Sequence, residues 1–145
     1  MRSAALGLAL LVLAAVAARA GADSDALVKF GLIGDWARDC KAFPSPTNPF
    51  MTFLPSTAGQ PTRQIITGKP QYDSLVPISD AALVDGNHLR LSYPQGGVTM
   101  TVTLLKDQRR IRPFEAVASD GTLSVHGGIV QASGQPTGWI EKCDD

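Results

Sequence analysis

The two cysteines of this 145-residue chain, Cys40 and Cys143, carry the best-defined chemistry in the sequence. A thiol pair can form a disulfide, bind a metal or act as a redox couple. The sequence contains no C-x-x-C, and His88 and His126 lie far from both cysteines along the chain, which disfavours the redox and metal interpretations. We therefore predict a structural disulfide, which by closing a loop of roughly 100 residues would stabilise the fold by about 4 to 5 kcal/mol.

Motifs for catalysis are absent from the sequence. The G-x-S-x-G elbow of α/β-hydrolases does not occur, nor does a phosphate-binding glycine loop. His126-Gly127-Gly128 partly matches an oxyanion loop, but without an elbow we interpret it as a strand followed by a glycine bend. Most Asp residues lie beside predicted turns, where Asp is common, and no carboxylate pair stands out. We predict no catalytic residue, no cofactor and no metal site.

Four basic residues near a predicted hairpin form the one basic cluster of the sequence: Lys106, Arg109, Arg110 and Arg112. As a site, this cluster would bind an anionic ligand or an acidic partner surface through charge-assisted hydrogen bonds. The alternative is a solvated turn with no ligand, which is the commoner fate of such a charge run.

The N-terminus predicts a signal peptide over residues 1–20. Arg2 is followed by an almost unbroken apolar run from Ala4 to Ala18, and an Ala-x-Ala triplet ends at Ala20. We expect cleavage after Ala20 or after Ala22 and a mature protein in the periplasm or outside the cell. A retained membrane anchor is disfavoured, because the run is shorter than the roughly 20 residues that a spanning helix needs.

Residues 21–145 are predicted to form one disulfide-closed domain that is slightly acidic. Cleavage removes Arg2 and Arg19, which leaves eleven of the thirteen basic residues against thirteen acidic ones. Nucleic-acid binding needs an excess of Lys and Arg over a whole face, so we expect no nucleic-acid partner.

Apolar spacing predicts a short helix capped by Ser24 or Asp25, and everything after it reads as strand and turn. Hairpin turns are expected at Asp85-Gly86, Gly96-Gly97 and Asp120-Gly121. Short strands at regular spacing favour an all-β fold, a small antiparallel up-and-down barrel of about eight strands, with a β-sandwich as the alternative. The predicted strands are Asp35–Lys41, Phe50–Leu54, Thr62–Thr67, Tyr72–Ile78, His88–Tyr93, Val98–Leu105, Arg110–Ala116, Leu123–Val130 and Gly138–Cys143.

The stretch Gly34-Asp35-Trp36 after the predicted helix resembles the G-x-W entry of lipocalin-type barrels. That resemblance implies a small barrel with a tryptophan packed across one end. Trp36 with Cys40, the Ser45 to Phe50 segment and the ending from Gly134 to Cys143 also resemble small exported alphaproteobacterial proteins of unassigned function. This second resemblance implies export and the Cys40–Cys143 disulfide. Because Cys40 lies at the end of the first predicted strand and Cys143 ends the last, we expect the bridge to join these two strands.

A barrel interior could bind a small apolar molecule, because its inward side chains can line a cavity. The alternative is a core that side chains fill completely. The candidate lining residues are Trp36, Phe53, Tyr93, Met100 and Val102.

A second candidate feature is the proline loop, Phe43–Phe50, whose three prolines prevent continuous strand pairing. Its two phenylalanines could enter a partner protein, or the loop could be an ordinary rigid crossover. We therefore expect a non-enzymatic binding protein for a small apolar or amphipathic molecule. An inhibitor or protein-interaction module is the alternative, and a weak enzyme built from scattered residues is the third possibility.

Overall fold

The computed structural model describes residues 19, 21–56 and 59–143. The predicted signal peptide, apart from Arg19, lies outside these residues. Residues 21–30 form helix α1, whose inward face buries Leu27 and Phe30. The predicted cap is wrong, because Ser24 lies inside the helix, where its hydroxyl accepts a hydrogen bond from the backbone N–H of Ser56 at 3.1 Å.

The described residues after α1 are mostly strand, and one 3₁₀ turn, Pro70–Tyr72, interrupts them. The strands are β1 Gly34–Ala37, β2 Phe50–Leu54, β3 Thr62–Ile66, β4 Ser74–Pro77, β5 Asp80–Leu83, β6 His88–Gln95, β7 Val98–Asp107, β8 Arg110–Ala118, β9 Leu123–His126, β10 Ile129–Val130 and β11 Ile140–Lys142.

All of these strands belong to one antiparallel sheet in the order β4-β3-β2-β1-β11-β8-β7-β6-β5, and β9 pairs with both β8 and β10. Its two edge strands, β4 and β5, are consecutive in the chain. Between them, the N–H of Ile78 donates to Pro61 O at 2.7 Å and the N–H of Ser79 donates to Ser92 O at 2.8 Å. The sheet therefore curls until the chain itself joins its edges, which confirms a small all-β, barrel-like fold. A sandwich would have required two sheets.

Alternating side chains fill the inside of the curl as the sequence predicts. On β6, Leu89, Leu91 and Tyr93 point inward and are buried, and on β7 Val102 and Leu104 do the same. Neighbouring outward positions are more exposed, as a half-buried strand requires.

A β-bulge in β8 changes which residues point inward. Thr103 pairs with Glu115 while Leu104 pairs with Pro113, so Phe114 is an extra residue without a partner on β7. The buried positions consequently shift from Ile111 before the bulge to Ala116 after it.

The predicted disulfide between Cys40 and Cys143 is present, with Cα atoms 5.3 Å apart. It joins the ends of the first and last strands, which also pair directly through Trp36 and Lys142. This pairing means that the first and last strands meet as neighbours within the sheet, and the break in the ladder lies instead between β4 and β5.

The strand prediction is wrong in three main places, and several other strand ends differ by one or two residues. The first strand ends at Ala37, four residues early, because the Asn48 side chain binds the backbone N–H and C=O of Asp39 and directs the chain out of the sheet. The segment predicted as one strand from Leu123 to Val130 is a hairpin that turns at Gly127 and Gly128, both of which have positive φ. Strand β5 had not been predicted. Within the part of the chain that the structure describes, no helix is long and apolar enough to cross a membrane.

Candidate ligand-binding cavity

A cavity of about 190 Å³ lies inside the curled sheet. It is enclosed mainly by inward-facing apolar side chains of β2, β6, β7 and β8, with contributions from β3 and β9. The lining residues are Met51, Phe53, Arg63, Leu91, Tyr93, Gln95, Met100, Val102, Leu104, Pro113, Ala116, Ser124 and Val125.

Four of the five residues proposed from the sequence line this cavity: Phe53, Tyr93, Met100 and Val102. Trp36 does not, and its assignment to the lining is wrong. Its indole N–H donates to the carbonyl of Leu32 at 2.7 Å, so the ring is fixed against the segment that follows α1. Trp36 is instead a buried core residue beneath the ammonium of Lys142, which lies 5.7 Å from the ring.

The residue that sequence reasoning missed, and that changes the chemistry of the cavity most, is Arg63. Strand β3 contains the sequence Arg63-Gln64-Ile65-Ile66, in which polar and apolar residues do not alternate. The sequence pattern therefore does not show which side of the strand faces inward. The inward position is set by register: Arg63 is opposite Phe53 on one side and Val76 on the other, and both belong to the inner face.

Arg63 stacks on a wall of the cavity. Its guanidinium carbon lies 4.5 Å from the ring centroid of Tyr93, within the range of a cation–π interaction. Burial raises the pKa of the Tyr93 phenol, and the positive charge of Arg63 acts in the opposite direction. The phenol therefore stays protonated at neutral pH and keeps its proton to donate.

Polar residues mark where the cavity meets the surface. Phe53 and Leu91 are fully buried, whereas Gln95 and Ser124 are exposed while lining the same space. Ser124 already donates its hydroxyl proton to Ala116 O at 3.3 Å. The cavity is thus an apolar chamber with a polar side that a solute can approach from water.

The basic cluster proposed from the sequence does not form one patch. Alternation along β7 puts Lys106 on the inner face with Leu104, and its ammonium donates to the carbonyl of Phe30 at 2.6 Å. This hydrogen bond connects the C-terminal end of α1 to strand β7. Arg109, in the turn, donates to Lys142 O at 3.3 Å.

Arg110 and Arg112 remain together, two residues apart on the outer face of β8. Their guanidinium carbons lie 4.5 Å and 4.7 Å from the ring centroid of Trp139. Arg110 also forms an ion pair with Asp107 at 2.6 Å. The charge of Arg110 is thus already compensated, which weakens this face as an anion site. Lys106 is thus separated from the other three residues, and binding of an anion or a partner by this cluster stays a prediction.

Two histidine–carboxylate pairs lie on the surface. His126 Nδ1 is 3.0 Å from Glu115 Oε2, and His88 Nδ1 is 2.9 Å from Asp85 Oδ2. The backbone N–H of Gly127 and then His126 hold the pKa of Glu115 below its usual range. Asp85 also accepts the backbone N–H groups of Asn87 and His88 in its own turn, whereas Glu115 on β8 accepts the N–H of Gly127 in the turn between β9 and β10. Both contacts therefore fix turns. Among the described residues, no three His, Cys, Asp or Glu side chains are grouped to hold a metal ion.

The proline loop is held rigidly while presenting one aromatic side chain. Ser45 and Asn48 exchange backbone hydrogen bonds at 3.1 and 3.0 Å, and the buried side chain of Asn48 is bound to Asp39. Phe43, at the beginning of the loop, is 92 % exposed, the most exposed of the large apolar side chains described. Phe50, in contrast, begins β2 and is half-buried.

Comparison with known proteins adds no assignment: no family model matches the chain, and neither a curated protein nor a solved structure is detectably similar to it.

Proposed function

We propose that this protein binds a small apolar or amphipathic molecule in the barrel cavity and does not transform it chemically. The observation that carries the proposal is the internal space of about 190 Å³ behind a polar, exposed side. The space opens to solvent on its polar side, so its apolar walls stay in contact with water unless a ligand covers them. A concave apolar surface with a few polar groups is typical of a small-molecule site, which favours a role in binding.

The volume limits the size of the ligand. Typical small-molecule pockets are about 300 to 1,000 Å³, whereas an apolar cavity of about 150 Å³ accommodates benzene. This cavity therefore fits a molecule of about eight to ten non-hydrogen atoms, unless the flexible side chains of Met51 and Met100 move aside for a larger one.

Export to the periplasm or the medium is part of the same proposal. The predicted leader and the disulfide support it, since disulfides persist in oxidising compartments. N-terminal sequencing of the protein from cells should find Gly21 or Asp23 first. A product that retains Met1 would contradict export by cleavage.

Filling the cavity tests the binding proposal. Ala116 lines the cavity, and Ala116→Leu should occupy much of its space. Val117→Leu is the matched control, because Val117 is the next residue along β8 and is 37 % exposed. Native mass spectrometry of protein purified from its own compartment should show a small bound molecule in the wild type and in Val117→Leu, but not in Ala116→Leu. An adduct that persists in Ala116→Leu would place the molecule elsewhere.

The exposure of Phe43 supports a second candidate function, docking onto a partner protein. An aromatic side chain on a pre-ordered loop loses little conformational entropy on binding and can act as a hot spot. A photo-crosslinking amino acid in place of Phe43 should give a discrete adduct, and the same substitution at Tyr72, which is 61 % exposed, should not. Excess wild-type protein should compete for that adduct, whereas Phe43→Ala protein should not. An identical pattern from both positions would exclude specific docking.

A further inference from the structure

We infer that the cavity selects a small monoanion, such as an aromatic or short-chain carboxylate, whose charged group is held by Arg63. This inference rests on the proposed function, because it names the chemical class of the cavity ligand. It is based on the charge and contacts of Arg63, on the polar groups that line the same cavity and on the volume of the apolar part of the cavity.

Arg63 is a cation without a counterion in the described part of the chain. The ion pairs found there involve Arg19, Arg90 and Arg110 on the arginine side and do not include Arg63. No described acceptor is hydrogen-bonded to its guanidinium, which contacts the Tyr93 ring. Arg63 is half-buried as a residue, and the fork of N–H donors of its guanidinium matches a carboxylate in two places at once.

The groups beside Arg63 favour the same ligand. Tyr93 lines the cavity and is 7 % exposed, and no described residue is hydrogen-bonded to its hydroxyl. Gln95 adds an amide that can donate as well. A carboxylate can accept hydrogen bonds from these donors and from Arg63, and the charge of Arg63 strengthens its bond to an anion and repels a cation.

The rest of the lining specifies the other half of the ligand. Phe53, Leu91, Val102 and Leu104 are buried and apolar, and no Asp or Glu lines the cavity. A ring or short chain of about six carbon atoms would fill this space, in line with the benzene-sized volume. Benzoate combines such a ring with one carboxylate and is the probe of choice.

Ligand binding can be measured by NMR through the methyl groups of the methionines. The full chain has three methionines, and two of them, Met51 and Met100, line the cavity. Protein labelled with ¹³C at the methionine methyl groups is titrated with benzoate and, separately, with neutral benzyl alcohol. Substitutions of Met51 and Met100 by Leu assign the two signals. Benzoate should shift both signals saturably and should bind more tightly than benzyl alcohol.

Variants at position 63 identify the anion site. Arg63→Met should weaken benzoate binding by about 10- to 100-fold, because a hydrogen bond to a charged group contributes about 1.5 to 3 kcal/mol. It should change benzyl alcohol binding by a much smaller factor, since that probe carries no charge. Arg63→Lys should restore part of the benzoate affinity. Arg90→Met, which removes a cation from outside the cavity, should leave both dissociation constants unchanged.

Two outcomes would overturn the inference in distinguishable ways. If benzyl alcohol binds as tightly as benzoate, and Arg63→Met changes neither dissociation constant, the anion site is wrong while the cavity remains a binding site. If neither probe shifts Met51 or Met100, the proposed function itself fails.

Discussion

The guanidinium of Arg63 on β3 lies 4.5 Å from the ring centroid of Tyr93 on β6, although β3 and β6 are not neighbours in the sheet. The curl that joins the edges β4 and β5 brings these two residues together. Their contact places a positive charge beside an otherwise apolar cavity, and it gives the cavity a titratable reporter.

Tyr93 should titrate above the ordinary tyrosine pKa of about 10. The chain has two tyrosines, so Tyr72→Phe leaves Tyr93 as the only phenol to follow by ultraviolet absorbance. Burial raises the pKa of Tyr93 and Arg63 lowers it, so adding Arg63→Met should raise the pKa further. A lower pKa in the double variant would show that Arg63 does not face Tyr93, and circular dichroism checks that the fold persists at each pH.

The disulfide should be a major source of stability. It joins cysteines 103 residues apart in the sequence, for which the loop model gives a contribution of about 4 to 5 kcal/mol. The double variant Cys40→Ser, Cys143→Ser should lose this amount in urea-induced unfolding, and the wild type measured with reductant should agree with it. A loss below about 1 kcal/mol would mean that the pairing of β1 with β11 holds the ends together without the bridge.

Asp23 should make stability depend on pH in an unusual direction for an aspartate. The carboxylate accepts the backbone N–H of Ala81 at 2.8 Å, yet burial raises its pKa, and Asp80 acts in the same direction. A raised pKa in the folded state means that the stability contributed by the protonated form is lost as the pH rises through that pKa.

The variant Asp23→Asn keeps an acceptor for Ala81 and cannot ionise. Its stability relative to the wild type should therefore increase from pH 3 to pH 7. Asp23→Ala should cost about 1 to 3 kcal/mol, because it leaves the Ala81 N–H without its acceptor. A constant difference between Asp23→Asn and wild type in urea unfolding across this range would contradict the shift.

Replacing Gly68 should destabilise the fold, because Gly68 packs closely against the backbone of Pro44 in the proline loop. It has a φ of +70°, and an added Cβ would lie 2.6 Å from the carbonyl oxygen of Pro44. Gly96 has a similar φ of +59° but open space around it, so Gly96→Ala measures the cost of the backbone conformation alone. That cost is about 1 to 2 kcal/mol, and Gly68→Ala should exceed it by at least about 1 kcal/mol in thermal unfolding. Equal losses would show that Pro44 can move away freely.

The pattern of alternating side chains predicted much of the fold. It identified the inward faces of β6 and β7, because apolar and polar residues separate there at every second position. Glycine turns and the cysteine pair then indicated hairpins and a bond between the first and last strands. Strand β5 was not predicted, because in its sequence Asp80-Ala81-Ala82-Leu83 the two central residues are both alanine and show no alternation of polar and apolar side chains.

The cavity was only partly predictable for a related reason. Phe53, Tyr93, Met100 and Val102 are large and lie on strands with clear alternation or register. The position of Arg63 depends on which residues of β2 and β4 are opposite it, and the sequence does not show this pairing. Trp36 was misplaced because burial alone does not reveal whether a side chain fills the core or lines a space within it.

A crystal structure of the protein with 4-bromobenzoate would test the ligand cavity most directly. Anomalous scattering locates the bromine without reference to the rest of the map. We expect one bromine in the apolar part of the cavity, near Phe53 and Leu91, with the carboxylate on Arg63. Bromine found only outside the sheet, or an empty interior at saturating concentration, would contradict it.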